Sequence, residues 1–91
     1  MVDISGNYNG YLTDISRTYS IGHLTDEAYR AHEVSLEIQN YLMEHAKAGE
    51  CAGKLYEDAL QIAAAHGLSD CFMGLSQKAK FVGHGVGLEI N

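Results

Sequence analysis

The chain has 91 residues and a mass of 9.9 kDa, enough for one small domain, since short chains bury proportionally less surface. Twelve acidic against six basic side chains leave a net charge of -6 and a pI near 5.1. That balance argues against nucleic acid or an anionic membrane as the main partner, because both select cationic surfaces. Hydrophobic residues make up 46% and charged residues 20%, a composition that predicts a folded chain and not a disordered one. No apolar run approaches the roughly 18 residues that span a bilayer. The start, MVDISGNYNG, lacks the basic and apolar regions of a signal peptide, so the expectation is an intracellular, cytoplasmic location. Cys51 and Cys71 are too few for a disulfide framework and their spacing fits no zinc knuckle, so both are read as free thiols.

The first twenty residues read as β structure. Val2, Ile4, Tyr11, Leu12, Ile15, Tyr19 and Ile21 supply β-branched, aromatic and aliphatic side chains, and Asn9-Gly10 between them signals a hairpin turn. Thr25, followed by Asp26 and Glu27, predicts a helix start with a hydroxyl cap and acids at the positive end of the dipole. Apolar positions at Ala28, Ala31, Val34, Ile38, Tyr41 and Leu42 keep the 3.6 period of a one-sided helix, which Gly49 ends. A shorter helix carries Leu55, Ala59, Ile62 and Ala63 on one face and stops at Gly67. The tail loses helical period, gains glycine and ends in FVGHGVGLEIN, read as a loop and strand. Two strands, two helices and a loop-strand make an α+β layout.

Asp3 and Asp14 stand in strands that otherwise want apolar or neutral residues. For a hairpin with an even-numbered loop the sum of opposed positions is odd, which puts both aspartates on one face, directly opposite or on a short diagonal. Like charges that close destabilise a sheet unless solvent, a shared proton or cations offset them. Two solvated carboxylates on an open face account for the spacing equally well. In Gly83-His84-Gly85-Val86-Gly87, alternating glycines let the backbone pass close to something while one imidazole is presented. A phosphate cradle competes with this reading, but the string lacks the Lys-Ser/Thr ending of a P-loop and does not match GxGxxG. Two aspartates on one face with a histidine from a loop amount to half of a dinuclear oxygen-and-nitrogen metal site.

These strings resemble a known family. VDISGNYNGYLTDISRTYSIG, with aspartates eleven positions apart, a turn between them and an Arg-Thr-aromatic sequel, resembles the metal-binding hairpin of the pita-bread metallopeptidases. That family includes Xaa-Pro aminopeptidase, Xaa-Pro dipeptidase, methionine aminopeptidase and the non-peptidase creatinase. FVGHGVGLEIN resembles its metal-histidine loop, in the right order after a pair of helices, so the resemblance covers the whole chain. It implies a partial pita-bread fold, with residues 1–91 as a single part of a catalytic domain. The hairpin falls at about residues 1–21, the helices at about 25–48 and 54–66, and the histidine loop at 81–91.

Carried over by position, the resemblance implies that Asp3 binds one divalent metal, Asp14 bridges two, and His84 is the nitrogen ligand of the second. The ions implied are Mn, Co, Zn or Fe. The activity implied is hydrolysis of an N-terminal peptide bond by metal-activated water, with a peptide as substrate. GHGVGLE favours the Xaa-Pro aminopeptidase and dipeptidase branch modestly. The family's two remaining ligands are glutamates beyond the histidine loop. Glu89, the one acid after His84, aligns with an ordinary residue. Where the family commonly has a second histidine, seven residues after the first, Asn91 stands; it is assigned to substrate binding, and no catalytic acid or base is assigned.

The expectation is therefore a fragment whose site is unoccupied or partly occupied, inactive alone, and self-associating through unpaired strand edges and an exposed helix face. A non-catalytic pita-bread module that binds a partner is the alternative. A second copy completing the site across a dimer is a third reading, although no copy contains the absent glutamates. Other features are set aside. His32-Glu33 opens an HExxH-like string, but position 36 is Leu. His45 and His66 sit near helix ends, His23 follows the hairpin, and Tyr8, Tyr11 and Tyr19 are assigned to hairpin packing. Arg17 is expected near a carboxylate, and Glu33, Glu37 and Glu44 to a solvated helix face.

Overall fold

A two-residue turn decides the first element. Asn9 and Gly10 both take positive φ, 52° and 85°, as a type I′ turn requires, and Tyr8 pairs with Tyr11 across it. The structure is a computed structural model and describes residues 1–74 and 76–90. Strand β1 (Val2–Tyr8) runs antiparallel to β2 (Tyr11–Arg17) in a two-stranded sheet. The register pairs Val2 with Arg17, Ile4 with Ile15 and Gly6 with Thr13. Because side chains alternate, Val2, Ile4, Tyr8, Tyr11 and Ile15 share one face, and Asp3, Ser5, Asn7, Leu12, Asp14 and Ser16 share the other.

The chain divides into two compact units. One comprises Met1–Leu24 with the segment from Gly83 onward; the other is Thr25–Val82. In the second unit, helix α1 (Asp26–His45) starts where Thr25 accepts a 3.2 Å hydrogen bond from the Ala28 N–H, with Asp26 and Glu27 in the first turn. Helix α2 (Ala52–Ala65) ends in a Schellman motif: the Leu68 N–H reaches the Ala63 carbonyl at 2.8 Å and the Gly67 N–H that of Ala64 at 3.0 Å. Gly67 supplies the left-handed residue this cap needs, at φ 73°.

Val34 and Ile38 of α1 pack on Ala59 and Ala63 of α2, and among the described residues these four form the buried core. The two alanines are 0% and 1% exposed, so the small side chains let the helix backbones approach closely. Leu42, Ile62, Leu68, Phe72 and Val82 pack around this centre. Polar contacts tie the same helices at their margins. The Tyr41 hydroxyl donates to Asp58 Oδ2 at 2.9 Å, the Arg30 guanidinium donates to the His66 carbonyl, and His66 Nε2 lies 3.0 Å from Glu37 Oε2.

Three expectations shift. Helix α1 ends at His45 and not near residue 48, because Ala46 is already extended and Gly49 takes φ 96°. Helix α2 begins at Ala52, with Cys51 as an N-cap whose side chain makes no cap hydrogen bond. The tail forms a 3-10 turn at Ser69–Cys71, and in place of a closing strand the described residues hold an isolated antiparallel bridge between Val86 and Ile90. Alternating glycines explain this, since each weakens a strand and gives a neighbour nothing to pack on. Two antiparallel strands and two helices remain, an α+β chain. No described helix is long and apolar enough to cross a membrane.

Candidate metal centre

The hairpin register sets the relation between the aspartates. Asp3 lies directly opposite Ser16, and Asp14 directly opposite Ser5. The two carboxylates are thus on one face, each displaced by two residues from the other's direct partner, which is the short diagonal that the spacing predicts. The Ser16 hydroxyl donates a 3.0 Å hydrogen bond to Asp3 Oδ1.

His84 reaches the same face from the glycine loop. The Leu12 N–H donates to the Gly87 carbonyl at 2.6 Å, which fastens the loop to β2 beside Asp14. His84 Nε2 then lies 3.1 Å from Asp14 Oδ2, with the two side chains 37% and 30% exposed. The other ring nitrogen, Nδ1, donates to the Gly85 carbonyl at 3.0 Å. In a neutral ring this leaves the Nε2 lone pair facing a carboxylate oxygen. Two acceptors at that separation repel unless a proton or a cation stands between them.

The donor set fits a divalent ion. An imidazole nitrogen and a carboxylate oxygen suit Mn, Co, Zn or Fe. Two donors each about 2.1 Å from one ion lie about 3 Å apart when the angle at the ion is near a right angle. The Gly85 carbonyl performs the task that an outer hydrogen bond performs in metal sites, fixing which ring nitrogen is free.

The structure brings Asp14 and His84 together and leaves Asp3 on the same face, bonded to Ser16. Among the described residues no group of three or more His, Cys, Asp or Glu lies close enough to hold a metal ion. Asn91 lies outside the described residues. A Cβ at Gly83 or Gly87 would meet no described atom within 4 Å, so the close approach at Gly87 is made by its backbone carbonyl to the Leu12 N–H and not by the missing side chain.

Other expected partners fall elsewhere. The Arg17 guanidinium donates to the Ser16 carbonyl at 2.7 Å and not to a carboxylate. Tyr8, Tyr11 and Tyr19 are exposed, as are the free thiols of Cys51 and Cys71. Ser16 is the residue that sequence reasoning missed. Its signal was present, because any two-residue turn at Asn9-Gly10 pairs position 3 with position 16.

Comparison with known proteins meets this geometry from the other side. The chain is 35% identical to the Xaa-Pro dipeptidase of Pyrococcus furiosus over 91 residues, which is 100% of this chain and 24% of that protein. The Xaa-Pro dipeptidase of Pyrococcus horikoshii is 33% identical over 91 residues, again 24% of its length, and that of Lactobacillus delbrueckii subsp. lactis 30% over 91 residues, 23% of its length. The chain therefore spans about a quarter of the curated relatives it matches. No solved structure matches it significantly. The profile of the family described as "Metallopeptidase family M24" matches residues 1–91, the whole of the sequence. The chain belongs to metallopeptidase family M24.

Proposed function

We propose that these 91 residues are part of the catalytic domain of a dinuclear-metal exopeptidase of Xaa-Pro dipeptidase type, with the partial pita-bread fold that the family implies. The contact between His84 Nε2 and Asp14 Oδ2, made in a chain similar to Xaa-Pro dipeptidases, carries this reading. Asp14 and His84 are the first pair of ligands, and Asp3 adds a carboxylate on the same face. Bound there, two divalent ions would polarise a scissile carbonyl and supply a nucleophile from water near neutral pH.

The protein's own part is positional. The Gly85 carbonyl holds the imidazole with Nε2 free, and the Gly87 carbonyl holds the loop against β2. Asn91 takes the substrate-binding place, where an amide can donate and accept hydrogen bonds but moves no proton. Two carboxylates and one imidazole offset only half the charge of two divalent ions, so the full site draws further anionic ligands from outside these three. On that ground the 91 residues alone are expected to be inactive. The exposed apolar face of the hairpin (Val2, Ile4, Tyr8, Tyr11, Ile15) is the surface through which they would self-associate. A cytoplasmic location is part of the same proposal.

A chimera tests it. Residues 1–91 replace the matching stretch of the Pyrococcus furiosus relative, and hydrolysis of Ala-Pro with Mn²⁺ or Co²⁺ is followed. Turnover that disappears with Asp14→Asn or His84→Ala is the expected result. A folded, metal-loaded chimera that leaves Xaa-Pro dipeptides intact would sink the reading. Turnover by the 91 residues alone would overturn the ligand argument.

A further inference from the structure

We propose that Ser16 is a positioning residue for Asp3: its hydroxyl orients the Asp3 carboxylate so that one oxygen remains presented for a cation. This rests on the metal-site reading above. Asp3 and Ser16 are direct cross-strand partners, and the Ser16 hydroxyl donates to Asp3 Oδ1 at 3.0 Å. A carboxylate on an open strand face otherwise samples several χ1 and χ2 positions, because solvent satisfies it in all of them. A donor fixed on the opposite strand selects one. It occupies a lone pair of Oδ1 and leaves Oδ2, and the remaining lone pair of Oδ1, free to bind.

The second candidate carboxylate is arranged differently. Asp14 faces Ser5 across the strands, yet its orientation is set by the imidazole of His84 at 3.1 Å. Each aspartate therefore has one neighbour that fixes it, a hydroxyl for Asp3 and an imidazole for Asp14. The difference matters chemically. A hydroxyl is a neutral donor that aims the carboxylate without competing for the cation's charge, whereas the imidazole is itself a ligand type. Ser16 thus acts through Asp3 and is not counted among the ligands. Groups of this kind around metal sites change affinity by about 10–100-fold when removed, although the ligand itself is untouched.

Threonine retains the hydroxyl and alanine removes it, so Ser16→Thr and Ser16→Ala separate the hydrogen bond from the space it fills. The rotamer is read on the 91-residue chain, with cross-strand NOEs between Ile4 and Ile15 showing that the hairpin persists, and Mn²⁺ affinity on the chimera that carries residues 1–91. In the metal-free chain, three-bond Hα–Hβ couplings report the χ1 rotamer of Asp3. A single rotamer is expected in the original chain and in Ser16→Thr, and averaged couplings in Ser16→Ala. Mn²⁺ titration is expected to show at least about 10-fold weaker binding for Ser16→Ala and near-original binding for Ser16→Thr. Couplings that do not change in Ser16→Ala overturn the positioning role. So does Mn²⁺ affinity that does not change while the couplings do. If the chimera that carries residues 1–91 takes up no Mn²⁺ although the Asp3 couplings respond as expected, the metal-site reading has failed and takes this inference with it.

Discussion

His84 Nε2 and Asp14 Oδ2 stand 3.1 Å apart, one on a glycine-rich loop and one on strand β2. The contact exists because the Leu12 N–H holds the Gly87 carbonyl, so a single backbone hydrogen bond delivers the imidazole to the carboxylate. The ring's other nitrogen is already committed to the Gly85 carbonyl. A cation between the two side chains would engage both donors at once.

Removing either partner is the direct test. Asp14→Asn and His84→Ala are each expected to weaken Mn²⁺ binding by at least about 100-fold, more than outer-sphere changes of about 10–100-fold, because a donor atom itself is lost. Isothermal titration of the chimera that carries residues 1–91 measures this. Equal affinity in all three proteins would place the cation elsewhere.

The turn offers a remote way to disturb the same face. Gly10 has φ 85°, and a Cβ there would meet no atom within 4 Å. Gly10→Val therefore costs backbone strain and not a clash, roughly 1–2 kcal/mol. The expected result is loss of the Ile4–Ile15 cross-strand NOEs together with weaker Mn²⁺ binding, since the diagonal relation of Asp3 to Asp14 depends on register. NOEs lost with affinity retained would mean that the hairpin does not build the site.

Local rules made much of this legible in the sequence. Asn9-Gly10 fixes turn and register together, and the register alone puts Asp3 and Asp14 on one face. Thr25 and Gly67 mark helix ends because each helps to satisfy the terminal backbone groups of its helix. The approach of His84 to Asp14 was not legible from spacing, since it depends on a loop path set by one non-local hydrogen bond. The end of α1 follows a related logic: Gly49 looks like the stop, but the chain leaves the helix at Ala46. A serine on an exposed strand has no pattern of its own; only its position opposite Asp3 sets Ser16 apart.

The helical unit depends on few side chains. Val34, Ile38, Ala59 and Ala63 are its buried core. Ile38→Ala is expected to cost about 2–4 kcal/mol, a large fraction of the stability of so small a unit. Ala59→Leu forces a larger side chain into the closest contact between the helices, where the site is 0% exposed, and is expected to cost about 1–3 kcal/mol. Urea unfolding followed by circular dichroism reads both. If Ala59→Leu were neutral, α1 and α2 would not approach as closely as the buried alanines indicate.

The same helices carry a pH-dependent contact of definite sign. The Tyr41 hydroxyl donates to Asp58 Oδ2 at 2.9 Å, and that hydrogen bond is the main reason its pKa is raised above the usual phenol value of about 10. Desolvation and the negative charges of Asp58 and Glu50 act in the same direction. Folding thus favours the neutral phenol. Its contribution is full below the unfolded value of about pH 10 and is lost as pH rises through the folded value. Urea midpoints of the original chain are therefore expected to fall more steeply above about pH 10 than those of Tyr41→Phe, which lacks the ionisable group. The chain has six tyrosines, so the phenolate absorbance of Tyr41→Phe is subtracted from that of the original chain to isolate the one titration. A difference curve with its midpoint at or below the usual phenol value would mean that the bond to Asp58 is not held in solution.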